Sequence, residues 1–218
     1  MSPRTKEQCE ELREKRIQQI MEAAGQIYFE KGLLFDIRDV AKKAGLGYGT
    51  VYHYYSNKNS LVSDLLDRGF ELSEALTSAF FSRQEKSAEL LDEFCAGLLR
   101  LWLEAPAAFI VYKWAAENFV GMEEQLRRTA KQRFDDTLYQ PLLECITQMQ
   151  VQSEALATGT DPGRIANFII GTMVGCFGIS MYHKDADFSP EGVLLMIRKS
   201  VSERRLSESG ESKGRSRA

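Results

Sequence analysis

The sequence predicts an all-α protein: an N-terminal three-helix helix-turn-helix domain followed by a roughly six-helix bundle. Three observations predict it. Apolar residues recur at i, i+3, i+4 and i+7 over long stretches, the period of one helix face. No strand-like alternation of useful length interrupts them. Proline is scarce, at five residues, and Pro106, Pro162 and Pro190 each fit the first position of a helix, where a missing N–H costs nothing.

The first helix runs from about Lys6 to Lys31. Ile17, Ile20, Met21, Ala24, Ile27 and Tyr28 form its apolar face, the charged turns EELREKR are solvated, and Gly32 stands as the C-cap glycine. The second helix is short. Asp36 is a good N-cap, Ile37, Val40, Ala41 and Ala44 line one side, and Gly45 stops it. The third spans about Tyr48–Tyr55, and Ser56 or Asn57 caps a fourth that begins near Lys58. Helical patterns then cover about 58–82, 86–104, 106–118, 123–150, 162–183 and 190–206, with a kink or break expected at Pro141. The expected domains are residues 1–60, the helix-turn-helix; 61–206, the helical bundle; and 207–218, a polar and charged tail, expected to be disordered.

Charge is unevenly spread. The net charge is −3, but residues 1–60 hold 10 Lys/Arg against 8 Asp/Glu, whereas residues 61–202 hold 13 against 20. From Arg38 to Lys58 the sole acid is Asp39, so a phosphate-binding surface fits there on an otherwise acidic body. Cys9, Cys95, Cys145 and Cys176 make no C-x-x-C, and the histidines are His53 and His183 alone, so neither a metal site nor a cofactor is expected. No nucleophile–base pair or phosphate loop suggests an enzyme. The N-terminus lacks the apolar stretch of a signal peptide, and the apolar run near Phe168–Tyr182 reads as too short for a bilayer, so a cytoplasmic protein with reduced thiols and no membrane contact is expected.

The informative segment is Ile37–Lys58, IRDVAKKAGLGYGTVYHYYSNK. Ala41 is small where one helix crosses the next, Gly45 tolerates positive φ, and Val40, Ala44, Leu46 and Val51 pin the two helices. The outward face then holds Tyr48, Gly49, Thr50, Tyr52, His53 and Tyr54, although Tyr54 and Tyr55 also fit a core. Tyrosines and a histidine on so short a helix suit donation to phosphates and contacts with bases, and Gly49 lets a duplex approach closely. Lys58 adds charge where a helix N-terminus presents its amides. Lys42 and Lys43 read as a solvated face.

This segment resembles the DNA-binding domain of the TetR/AcrR family of regulators, over roughly residues 16–62. The resemblance is carried by Ala23-Ala24, Phe29, Gly32, the run Phe35–Ala41, Ala44-Gly45-Leu46-Gly47-Tyr48-Gly49-Thr50-Val51-Tyr52-His53-Tyr54-Tyr55, Lys58 and Leu61. Three departures stand out: a loop one residue shorter after Gly32, Phe35 where threonine is common, and Gly47 where serine is usual. The resemblance implies a homodimeric repressor that binds an inverted-repeat operator in double-stranded DNA and leaves it when a small hydrophobic or aromatic effector binds. Tyr52 and Lys58 would hold phosphate, Tyr48, Thr50 and His53 would lie nearest base edges, and Arg38 would reach a base or a phosphate.

The resemblance also implies that the C-terminal domain holds the effector pocket and the dimer interface. Trp102, Phe109, Tyr112, Trp114, Phe119, Phe134, Tyr139, Met173 and Phe177 are the pocket candidates, with ordinary bundle core as the alternative, and Glu117 or Asn118 would orient a ligand if turned inward. Gly171, Gly175 and Gly178 form a small-residue stripe in a helix that is apolar almost all round, and with Leu194, Ile197 and Val201 they are the dimer-interface candidates.

Overall fold

A computed structural model describes residues 5–84, 86–152, 160–183 and 188–202. The described residues are helical, with no strand among them: α1 Lys6–Lys31, α2 Ile37–Lys43, α3 Tyr48–Tyr54, α4 Lys58–Phe81, α5 Ala88–Glu104, α6 Pro106–Ala116, α7 Glu124–Phe134, α8 Gln140–Gln152, α9 Pro162–His183 and α10 Pro190–Ser202. The expected tail, 207–218, lies outside them.

Local chemistry sets most of the ends. Thr5 caps α1, accepting from the Gln8 amide at 3.3 Å while the Gln8 side chain accepts from Thr5 at 3.1 Å. Asn57 caps α4 by accepting from Ser60 N–H at 2.9 Å. Pro106, Pro162 and Pro190 all occupy first helical positions; Asp161 and Ser189 accept from the amides of Arg164 at 3.0 Å and Gly192 at 3.2 Å. The C-terminus of α6 is a Schellman turn: Phe119 N–H donates to Trp114 O at 2.7 Å and Asn118 N–H to Ala115 O at 3.0 Å. Asn118 and Phe119 both have φ of 53°, so α6 ends two residues before the expected 118.

Pro141 does not break its helix. The chain widens into a π-helical segment at Asp135–Tyr139, and Pro141 becomes the second residue of α8. Such a segment removes the i→i−4 bond that proline cannot make.

Contacts divide the described residues into two compact units: those of Met1–Ser73 with Leu101–Gln132, and those of Glu74–Arg100 with Arg133–Ala218. The limits differ from a cut at residue 60 because α6 packs on α1. In the first unit, Tyr28 meets Trp114 edge-on at 5.3 Å, Phe29 stacks on Phe109 at 5.5 Å, and Trp102 meets both Phe109 and Tyr112. Gly69 lets α4 approach α6, since a Cβ there would collide with Ala107 O and the Val111 side chain. In the second unit α8 packs on α9 and α9 on α10, and Arg133 binds Glu74 through two bonds of 2.7 and 2.9 Å. Burial pushes the Cys95 and Cys145 thiols up, the latter to about 11, so both stay protonated.

α9 has 22 residues, and its most apolar 18-residue window has a mean hydropathy of 1.6, so by length and composition alone it is enough to cross a bilayer, longer than the expectation from its apolar run allowed. The helix begins at Pro162, before that run starts. One face, Ile165, Ala166, Ile169, Met173 and Phe177, is buried in its own unit.

Candidate nucleic-acid interface

The site is built by two helix ends. Asp36 and Asp39 cap α2 reciprocally: the Asp36 carboxylate accepts from Asp39 N–H at 2.9 Å, and Asp39 accepts from Asp36 N–H at 3.0 Å. At the other end, Gly45 (φ 64°) donates to Lys42 O at 3.2 Å, and Leu46 donates to Ala41 O at 2.9 Å, a second Schellman turn. That left-handed residue fixes the direction in which α3 leaves. Gly47 then stands at the N-cap of α3 and supplies no side-chain cap.

Val51, fully buried, is the one residue of α3 in the core. Val40, Ala41 and Ala44 are buried and Leu46 half-buried on the facing side, as the pinning role requires. Tyr55, just past the helix, is buried, and its hydroxyl lies 3.6 Å from Met21 Sδ.

Everything else on α3 turns outward. Tyr48 and Tyr52 are 46% and 49% exposed, Gly49, Thr50 and His53 are exposed, and Tyr54 is half-buried with its ring 5.6 Å from His53. A Cβ built on Gly49 meets nothing within 4 Å, so the protein's own packing does not demand glycine there. The rings of Tyr48 and Tyr52 lie 5.7 Å apart, and the guanidinium of exposed Arg38 sits 5.6 Å from the Tyr48 centroid. Lys58 is half-buried, its ammonium 5.0 Å from the centroid of the buried Phe35 ring. Phe35 thus fills the interior where a hydroxyl is common. The acid in this strip is neutralised: the Lys31 ammonium holds the Asp39 carboxyl below the usual carboxylate range, helped by the Asp36 amide.

The remaining candidates separate. Trp102, Phe109, Tyr112, Trp114 and Phe119 are buried in the first unit; Phe134, Met173 and Phe177 are buried in the second, where Tyr139 is half-buried and donates to Asn167 Oδ1 at 3.0 Å. Glu117 and Asn118 face solvent, and Glu117 pairs with Lys113. On α9, Gly171 and Gly175 are exposed and Gly178 half-buried, beside Phe168, Ile179 and Tyr182, which are 42%, 60% and 80% exposed. On α10 the expected faces are reversed. Leu194 and Ile197 are buried in their own unit, and the exposed apolar residues are Leu195 and Met196. The Val201 side chain lies outside the described residues.

A groove of about 670 Å³ in the first unit lies among α1, Tyr55, α4 and the start of α6. Glu14, Glu22, Asp64, Asp67, Glu71 and Glu104 line it against a single cation, Arg68. No group of three or more His, Cys, Asp or Glu side chains suited to a metal ion occurs among the described residues.

Residues 20–65 match the family model of bacterial regulatory proteins, tetR family. The HTH-type transcriptional regulator TtgR of Pseudomonas putida is 36% identical over 86 residues, 39% of this chain and 39% of the relative. The match therefore spans about two-fifths of that relative's length. The fold extends much further than the sequence likeness. The regulator MbdR from Azoarcus sp. CIB superposes with a TM-score of 0.71 at 17% identity, covering 85% of this chain and 96% of the other. AibR, solved in complex with isovaleryl coenzyme A and operator DNA, gives 0.67 at 16% identity, with 86% and 98% covered.

Proposed function

The chain belongs to the TetR family of bacterial regulatory proteins, and from that premise we propose that it is a dimeric, sequence-specific DNA-binding repressor of transcription, released from its operator by a small hydrophobic or aromatic effector. The observation that carries the reading is the outward face of α3. A seven-residue helix is tied to the core through Val51 alone and offers Tyr48, Thr50, Tyr52 and His53 to solvent. Inserted in a major groove, such a face sets hydroxyls and an imidazole against base edges and phosphates. Tyr52 and Lys58 hold the backbone, Thr50 and His53 lie nearest the bases, and the bare backbone at Gly49 permits close approach. Tyr54 supports His53 from the side.

Residues 1–60 form the DNA-binding region in this reading, and 61–206 bind the effector and the second protomer in the cytoplasm. The unpartnered face of α9, Phe168, Gly171, Gly175, Ile179 and Tyr182, supports dimerisation together with Leu195 and Met196. A two-fold dimer brings two recognition helices to successive major grooves of an inverted repeat, roughly 34–36 Å apart. The effector acts to the extent that it prefers the non-binding spacing. The acidic groove of the first unit disfavours a polyphosphate, so a coenzyme A thioester of the kind bound by AibR is not assigned there.

The test is a mobility-shift assay on the chain's own upstream region over a salt series. Wild type should retard it with two protomers per site. Lys58→Ala should weaken binding to all sequences and reduce the salt slope by about one. A protein that ignores that DNA at low salt, or binds as a monomer, does not fit the reading.

A further inference from the structure

The groove of about 670 Å³ in the first unit is lined by none of the nine pocket candidates. Its lining is sorted by character. Ile17, Met21, Leu72, Ala105, Pro106 and Ala107 are all half-buried and make an apolar floor, whereas the six carboxylates are all exposed and make the rim. Gly25 sets the width at one end: a Cβ there would meet Pro106 Cβ at 3.1 Å, so α1 comes close to the start of α6. Buried Tyr55 holds one acid over the floor, since its hydroxyl donates to Asp64 and lies 3.6 Å from Met21 Sδ. Arg68, the single cation of the lining, pairs with Glu71 at 3.3 Å. Glu14, Glu22, Asp64 and Glu104 form no ion pair among the described residues. Glu104 is the last residue of α5, where the free carbonyls already carry negative partial charge, so its carboxylate stands against the helix dipole.

We propose that this groove is a binding site for a lipophilic organic cation, a small molecule with a positive centre carried on an apolar body. Two features have to be matched at once. A half-buried apolar floor is stabilised by apolar surface laid over it. Carboxylates gathered on the rim of a concave surface focus their field, attract a cation and repel an anion. A polyamine would satisfy the rim and leave the floor wet. A neutral apolar molecule would cover the floor and gain nothing from the rim. A cation on an apolar body uses both. The volume falls within the roughly 300–1,000 Å³ of small-molecule sites, which fits such an occupant better than a protein segment. Glu104 agrees with this choice, because an acid at the end of α5 disfavours its own helix and is stabilised by a cation in the groove.

The experiment is calorimetric titration of the full-length chain, without DNA, with tetraphenylphosphonium and with tetraphenylborate, two ions of like shape and opposite charge. The cation should bind once per protomer and the anion at least about tenfold more weakly. Glu14→Gln and Glu104→Gln should each weaken the cation by about twofold to fivefold, and the double variant by about tenfold. Both substitutions are at exposed positions, so the variants fold. Leu72→Trp, which fills the floor, should abolish binding, while Glu124→Gln, an exposed acid of the same unit away from the groove, should leave it unchanged. The proposal is overturned if neither ion binds, if both bind equally, or if Glu124→Gln weakens the cation as much as Glu104→Gln, the behaviour of net charge alone. Cation binding that no groove variant alters overturns it as well, since the site then lies elsewhere. None of these outcomes depends on operator DNA, so the proposal can fail while the DNA-binding reading stands.

Discussion

α3 and α6 are short, aromatic-rich helices of the same compact unit, and the protein uses them in opposite ways. α6 buries Ala108, Phe109, Ile110, Val111, Tyr112 and Trp114, whereas α3 buries only Val51. Aromatic content does not separate them. Aliphatic company does: in α6, alanine, isoleucine and valine share the interior with the rings, while the rings of α3 have one valine among them and a glycine beside them. A helix held by one aliphatic anchor and a glycine turn contributes little to the core, which leaves its rings free for a partner. The exposed Tyr48 and Tyr52 stand in contrast to the buried Tyr112 for that reason.

The largest difference the comparison predicts is in stability. Trp114, 1% exposed and packed edge-on against Tyr28, should cost about 3–5 kcal/mol on truncation to alanine. Tyr52→Ala, at a site 49% exposed, should stay within about 0.5 kcal/mol of wild type. Urea unfolding of the two variants checks both, and the operator-binding assay should rank them the other way for folded protein. Equal destabilisation would mean that the α3 rings belong to the core after all.

The same contrast shows what the sequence made legible. The helix-turn-helix could be read because its signals are local: the Asp36 cap, the left-handed Gly45 and the Val40–Val51 spacing each act within a few residues. The three helix-starting prolines were legible for the same cause. Where the answer depends on distant packing, the sequence was silent. Residues 193–197 of α10, Val-Leu-Leu-Met-Ile, are apolar at every position, so periodicity could not say that Leu194 and Ile197 turn inward and Leu195 and Met196 outward. Asn118 and Phe119 adopt left-handed backbone that only glycine would have advertised. A π-helical detour around Pro141 leaves no residue pattern of its own. The nine pocket candidates are aromatic or sulfur-bearing residues, a property shared by core and cavity alike, and they fall in two different units.

A smaller effect sharpens the functional side. Gly49 sits in α3 with open space where a Cβ would go, so Gly49→Ala should stabilise the protein, by up to about 1 kcal/mol from helix propensity. On the DNA-binding reading, the added methyl lies on the surface that meets the duplex, so operator affinity should fall while stability rises. Thermal unfolding and mobility shift on one preparation give both signs. A variant that gains stability and keeps its affinity would show that the glycine does not serve close approach.

The smallest effect concerns how α3 begins. Neither α3 nor α6 has a side-chain N-cap bond, but α6 has a proline at its first position and six buried residues to hold it, and α3 has neither. Gly47 has φ −63° and ψ 142°, ordinary extended backbone that serine adopts freely, and an added Cβ would meet only Thr50 Oγ1 at 3.7 Å. A serine hydroxyl there can accept from a first-turn amide of α3, for a gain of a few tenths of a kcal/mol over glycine. Global unfolding should hardly register Gly47→Ser. Amide exchange in Val51–Tyr54 should slow by about twofold, because a weakly anchored helix opens locally before the whole protein does. If those amides exchange at the wild-type rate, the first turn of α3 is already as ordered as its contacts allow, and its single valine anchor is stronger than the comparison with α6 implies.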